Sequence, residues 1–416
     1  MKNFVLTFLT LAMFSFALYS CNNSIDNTIT PIFTENTIKI GALFSYTTGD
    51  WSTLGKTSRA ATDIAVIKIN TYLASINSPN RVSVTYSDTY LNSDSALAQV
   101  RRFYANGTRI IIGPQSSSEA ARIKSFVDSA GMVVISQGST AGSLSIPGDN
   151  IFRFCPVDSM EAKASVALMN YDSVKYLIPV YRIDVGNTGL YNSVSAYYMT
   201  SVSGGTLLSG ISYDASTTNF APIVAEIKSK ILAAPPGKKI GVYLAAFDEN
   251  VQLFNAALSE PLLSSVKWYG SDGVVQSTVL TGNTTASQFA STVKYDCPIF
   301  GLNAKASPIM EPLAAQILSS TGIQPDAFTF AAYDALWVTA LAGDNVPTFS
   351  TTAYKTALVQ NANSYFGASG WTALNASGDR AYANFDFWGV RLTSGTYKWV
   401  VVSRYNSNTG QIEIVY

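Results

Sequence analysis

Short apolar runs recur along this chain, and nearly every one is followed by a loop and then by a stretch whose apolar residues have helical spacing. The runs at 38–45 (IKIGALFS), 109–113 (RIIIG) and 132–136 (MVVIS) lack strict alternation, as strands buried on both faces of a parallel sheet do. A further strand at 82–88 (VSVTYSD) and helical patterns at 54–73, 93–105 and 118–129 complete the series. Strand, loop and helix in steady succession imply βαβ units, and right-handed crossovers wind these into a sheet with helices on both faces. The expected class is α/β.

A second series begins after 152–159 (FRFCPVDS). It runs through a helix at 161–171, a strand at 176–182, helices at 189–203 and 220–232, a strand at 240–246, a helix at 250–258 and a strand at 266–270. Pro235-Pro236-Gly237 breaks the chain between helix and strand. Three more helical stretches, near 308–320, 326–342 and 352–362, follow 297–302, and their position predicts a return to the first sheet. Hairpin strands with turns at Ser394-Gly395 and Asn408-Thr409-Gly410 end the chain.

The N-terminus carries an address. An apolar run from Phe4 to Tyr19 follows Lys2 and ends in Leu-Tyr-Ser-Cys at 18–21, the form of a secretory signal closed by a bacterial lipobox. The run falls short of the ~20 residues that span a bilayer. Residues 1–20 are therefore expected to be removed, Cys21 to be lipidated, and polar, aperiodic 21–36 to act as a tether. Tyr19 is large for its place in a lipobox. The expected location is the periplasm or cell surface, on either membrane.

Composition then excludes whole classes of function. Lys plus Arg and Asp plus Glu are both 27, so no basic field exists to hold nucleic acid. No histidine occurs, which removes a Ser-His-Asp triad and the commonest zinc ligand, and neither metal nor cofactor is expected. Two cysteines remain beside Cys21, and Cys155 and Cys297 are either buried thiols or one bridge.

Three motifs could carry chemistry. Gly49 to Thr57 (GDWSTLGKT) nearly spells a phosphate loop, but five residues separate the glycines where four are needed, and Trp51 sits where backbone must wrap an anion. Ser291-Thr292-Val293-Lys294 matches S-x-x-K, the spacing of a serine nucleophile and lysine base on a helix turn, without the partner motifs of that hydrolase class. The loops 113–120 (GPQSSSEA) and 136–143 (SQGSTAGS) present hydroxyls and free N–H groups at the carboxyl edge of the sheet, where open α/β folds bind ligands. N-capping by Ser117 or Ser118 is the plain alternative.

Six segments in order, IKIGALFSYTTGDWSTLGKTSRAATDIAVIKIN, IIIGPQSSSEA, VVISQGSTAGSL, FRFCPVDSMEAKA, YDALW and the pair FGASGW and NASGDRAYANFDFW, resemble the bacterial solute-binding proteins for leucine, isoleucine and valine. The resemblance covers about 37–416 and implies the type I periplasmic binding protein fold: two Rossmann-like, doubly wound lobes joined by three hinge crossovers. It puts 37–153 with 301–384 in one lobe and 154–300 with 385–416 in the other. It implies a ligand carboxylate at Ser117 or Ser116, the backbone of Gly138 and Ser139 and the Thr140 hydroxyl, with Asp272 on an α-ammonium. Trp51, Leu54 and Phe247 would wall the ligand side chain. Where the family has an aromatic before a glycine, this chain has Val185 and Gly186, leaving Tyr191 to compensate and the ligand open. The implied role is capture of a small solute, an aliphatic or branched-chain amino acid, by a monomer that delivers it to an ABC permease and performs no catalysis. The alternatives are a sensor of the same fold feeding a membrane receptor, and an exported Ser-Lys hydrolase.

Overall fold

In a computed structural model, which describes residues 36–416, the first apolar run forms the centre of a five-stranded parallel sheet. The chain passes through β1 (Asn36–Phe44), α1 (Ser52–Ser75), β2 (Asn80–Asp88), α2 (Ser93–Ala105), β3 (Ile110–Ile112), α3 (Ser117–Ser129), β4 (Val133–Ser136) and β5 (Ile151–Arg153). The spatial order is β2-β1-β3-β4-β5, every pair parallel. Alternate residues serve opposite faces. Leu43, Ile111 and Val134 pack with α2 and α3, whereas Ile40, Ala42, Phe44, Ile112 and Ile135 join the core on the side of α1.

The second sheet is mixed. It is built from α4 (Asp158–Tyr171), β6 (Tyr176–Ile183), α5 (Val185–Ser201), β7 (Thr206–Leu207), β8 (Ile211–Asp214), α6 (Ala221–Leu232), β9 (Ile240–Ala245), α7 (Asn250–Ala257), α8 (Pro261–Ser264), β10 (Lys267–Tyr269), α9 (Thr278–Gly282), α10 (Thr284–Thr292) and β11 (Asp296–Phe300). Its parallel part, β11-β10-β9-β6 with β7 and β8 both beside β6, is extended by three antiparallel strands that come later in the chain. The short strands β7 and β8 and the helices α9 and α10 are absent from the sequence reading, because elements of two to nine residues carry too little periodicity.

After β11 the chain returns to the first sheet. Helices α11 (Ser307–Thr321), α12 (Ala327–Asp344) and α13 (Thr351–Ser364) pack there, α12 lying along α1 with a Thr57–Thr329 hydroxyl bond of 2.6 Å. A small hairpin, β12 (Phe366–Gly367) and β13 (Gly370–Trp371), precedes β14 (Phe385–Thr393), β15 (Thr396–Asn406) and β16 (Gln411–Ile414). Three segments thus pass between the sheets, at 154–157, 301–303 and 380–384. Beside the first, Arg153 and Asp379 form a fully buried ion pair at 2.6 Å, and Arg153 also donates to the carbonyls of Ser139 and Ala141. Cys155 and Cys297 are both free and buried. No helix among the described residues is long and apolar enough to cross a membrane, and the apolar run, Cys21 and the tether lie almost entirely outside those residues.

Candidate functional site

Glycine requirements near the first loop explain its likeness to a phosphate loop. A Cβ on Gly55 would stand 1.7 Å from the Ser45 carbonyl oxygen, so the glycine lets α1 cross the end of β1. Trp51, before the helix, adopts the left-handed conformation (φ 58°), costing of order 1 kcal/mol. Its ring is packed against Phe247 (centroids 5.0 Å) and Phe328 (5.7 Å). The loop positions an aromatic wall.

The two serine-rich loops meet at the α3 N-terminus. Ser116, not Ser117 or Ser118, is the N-cap: its hydroxyl accepts from the Glu119 N–H while the Glu119 carboxylate takes the Ser116 N–H and hydroxyl. That reciprocal cap spares the next two serines for other work. Ser117 Oγ accepts from the Ala141 N–H (3.1 Å) and the Ser139 hydroxyl (3.3 Å), which leaves its own proton to donate. Ser118 Oγ accepts from the Val185 N–H across the gap between the sheets (3.2 Å).

These groups enclose a cavity of about 20 Å³ between the sheets. Trp51, Ser116, Ser117, Ser118, Gly138 and Thr140 line it from the first sheet, and Asp184, Gly186, Asn187, Leu190, Phe247 and Asp272 from the second. Seven of the ten residues singled out in the sequence therefore converge: Trp51, Ser116, Ser117, Gly138, Thr140, Phe247 and Asp272. Leu54 is buried in the core, Ser139 is buried and hydrogen-bonds Ser117, and Tyr191 stacks on Tyr181 at 4.1 Å; none of the three lines the cavity. Larger depressions, 820 Å³ between α1 and α11 and 1310 Å³ beside 301–304, share no residue with it and lack such convergence.

The acidic side of the site is larger than the sequence suggested. Asp272 lies on a turn after β10, and the first turn of α4 brings Asp158 and Glu161 close to it; all three are buried. Burial raises each pKa, Asp158 to about 6, Asp272 to about 7 and Glu161 well above the usual range, and the charge of Asp158 adds to the rise at Asp272 and Glu161. Among the described residues no lysine or arginine pairs with any of them; nearby Arg153 is committed to Asp379. In the sequence, acids opening a helix read as ordinary dipole partners, which hid Asp158 and Glu161.

Closure is held at the rim by ionic and hydrogen-bond contacts. Arg182 pairs with Asp50 across the gap, and on its own side with Asp184 (3.1 Å) and Glu249 (3.2 Å), its guanidinium 5.0 Å from the Phe247 ring. The Ser291–Lys294 spacing proves to be no helical pair. Lys294 lies beyond the end of α10 in the left-handed region (φ 50°).

With this geometry in hand, comparison with known families is informative. The model of the family described as "Receptor family ligand binding region" matches residues 57–393. The chain belongs to this family. An uncharacterised protein of Methanocaldococcus jannaschii is 27% identical over 397 residues, 91% of this chain and 92% of that protein. The leucine-binding protein of Thermotoga maritima superposes with TM-score 0.75 at 16% identity, over 89% of this chain and 99% of its own. A solute-binding protein of an ABC transporter from R. palustris, solved with benzoate, gives 0.70 at 15% identity over 88% and 96%. As a member of the receptor family ligand binding region, the chain has the type I periplasmic binding protein fold that its sequence resemblance implied. One of these solved relatives is thus a leucine-binding protein and the other a solute-binding protein of an ABC transporter in complex with benzoate.

Proposed function

We propose that this protein is an extracytoplasmic substrate-binding component of an ABC transporter, anchored through Cys21, and that its ligand is a small amino acid with an apolar side chain. The acid group carries the choice between the ligand types seen among the relatives. Benzoate bears only negative charge, and seating it against buried Asp272, which no lysine or arginine among the described residues partners, would oppose ionisation of that acid. An amino acid supplies the missing ammonium. Its carboxylate would meet the Ser117 hydroxyl, the Thr140 hydroxyl and the N-terminus of α3, and Trp51, Leu190 and Phe247 would surround its side chain.

The mechanism is binding with closure, without catalysis. The 20 Å³ cavity has room for about one water, so the two sheets with their helices part, as lobes hinged on 154–157, 301–303 and 380–384, to admit an amino acid. A ligand touching both sides only when they are shut shifts the equilibrium to the closed form, the shape a permease would recognise. Thermal-shift screening of the mature chain with free L-amino acids against benzoates tests this, because a ligand bound only by the native state raises the melting temperature. Leucine or a similar amino acid should stabilise it; stabilisation by benzoate alone would overturn the assignment.

A further inference from the structure

The 1310 Å³ cavity draws its wall from both sides of the hinge: Asn303 and Asn384 sit on the second and third crossovers, Asn363 near the end of α13 and Asn406 at the end of β15. Backbone groups orient all four amides. Their carbonyl oxygens accept, in that order, from the N–H groups of Lys305 (2.9 Å), Ser407 (3.0 Å), Leu374 (3.0 Å) and Asn408 (3.0 Å), and among the described residues no protein acceptor meets their NH2 groups. Each amide thus keeps two donors for an incoming molecule. Two large rings border the same space, Trp371, 55% exposed with its ring set 5.2 Å from Phe366, and Tyr382, 76% exposed on the third crossover. The β12–β13 hairpin brings Trp371 there by a tight approach: Gly370 (φ 90°) lies so near Asn303 that a Cβ on it would stand 2.9 Å from the asparagine Cβ. The charges lining the cavity, two arginines and two acids, balance. Arg404 pairs with Asp386 (3.4 Å) and Arg380 donates to the carbonyls of Phe154 and Ser369, whereas Glu413 has no ion pair among the described residues.

We propose that this cavity is a second binding site, separate from the amino-acid site, and that it takes a short neutral oligosaccharide. A sugar ring has a flat C–H face to lie on Trp371 or Tyr382, and each of its hydroxyls both accepts and donates, which suits amide N–H groups on one wall and the Asp386 and Glu413 carboxylates on the other. Other ligand chemistries fit worse. A phosphate or carboxylate would meet two acids and no uncommitted cation, and a wholly apolar molecule would strip water from the amide donors without replacing its hydrogen bonds. The volume exceeds the ~300–1,000 Å³ of a pocket for one small ligand, which points to several linked rings. The site stands whether or not the cleft between the sheets holds an amino acid.

Titration calorimetry of the mature chain with maltotriose, cellotriose and chitotriose, and with trigalacturonate as the anionic counterpart, tests this. At least one of the three neutral sugars should bind, and more tightly than trigalacturonate. Trp371→Ala should weaken that binding about tenfold, the scale of a lost aromatic contact with the area it buries. Asn406→Asp keeps the oxygen that accepts from the Asn408 N–H and turns the NH2 donor into an acceptor, so it should weaken binding by at least about fivefold. Both side chains are exposed, and melting curves confirm that the variants fold. No binding by any of the three neutral sugars, wild-type affinity in both variants, or a preference for trigalacturonate overturns the proposal. Competition between the sugar and leucine for one site would place it in the cleft instead and overturns the proposal equally.

Discussion

The backbone N–H of Trp51 donates to Asp248 Oδ2 at 2.8 Å across the gap between the two sheets, and the same carboxylate accepts the Ser277 hydroxyl. Asp248 therefore fixes the left-handed residue whose ring walls the cavity. Asp248→Ala should favour the parted form, since a hydrogen bond to a charged group is worth ~1.5–3 kcal/mol, roughly a tenfold or greater shift. Small-angle scattering of the ligand-free chain should show a larger radius of gyration than for the wild type; an unchanged radius would count against this contact as a latch.

Asp272→Ala should lower affinity for an amino-acid ligand by well over tenfold, because truncation strands a buried ammonium. Calorimetry gives the answer directly, and unchanged affinity would remove Asp272 from the site.

Affinity for that ligand should rise between about pH 6 and pH 8. Burial raises the titration of Asp272, which lines the cavity, to about 7 in the free protein, and an arriving ammonium favours its ionised form. The free state thus holds more protons than the bound state, binding releases them, and raising the pH through 7 strengthens binding until Asp272 is fully charged. Titration calorimetry across this range checks it, and an affinity that does not change with pH would count against an ammonium at Asp272.

The Arg153–Asp379 pair clamps β5 to the segment entering the third crossover, where the Arg153 N–H donates to Gly378 and the Arg380 N–H to Arg153. Asp379→Ala leaves a buried guanidinium unmatched and should cost ~3–5 kcal/mol of stability in urea titrations. A loss below 1 kcal/mol would show that solvent reaches the pair.

Gly55→Ala tests the assignment of the first loop. A methyl group 1.7 Å from a backbone oxygen cannot be accommodated by rotating a side chain, so the variant should lose more than ~4 kcal/mol or fail to fold. Nucleotide binding should be undetectable in the wild type.

The parallel strands and the serine loops were legible because each rests on local pattern. Strands covered on both faces read as apolar runs, and a ligand edge follows from their direction, which is why the loops at 113–120 and 136–143 stood out; Ser117, Gly138 and Thr140 within them came from the family resemblance. Buried Asp158 and Glu161 could not be named, since α4 comes near the turn carrying Asp272 only in the fold, more than a hundred residues apart in sequence. The start of α5 was placed at Gly189 because its glycines mask the pattern; Asp184, accepting from the Asn187 N–H at 2.8 Å, caps it four residues earlier and so carries Asn187 and Leu190 to the cavity. Tyr191 was expected at the site by its distance from a missing ring, but the Tyr181 face takes it first.

The 2.6 Å bond between Thr57 and Thr329 spans 272 positions of sequence. During synthesis, β1 to β5 emerge long before α12, so the face carrying Ile112 and Ile135 is covered only in part, by α1, until residues near 340 are available. Such distant pairing folds slowly and exposes a sticky intermediate. A ribosome stalled midway would present a half-clad sheet, a natural client for holding chaperones.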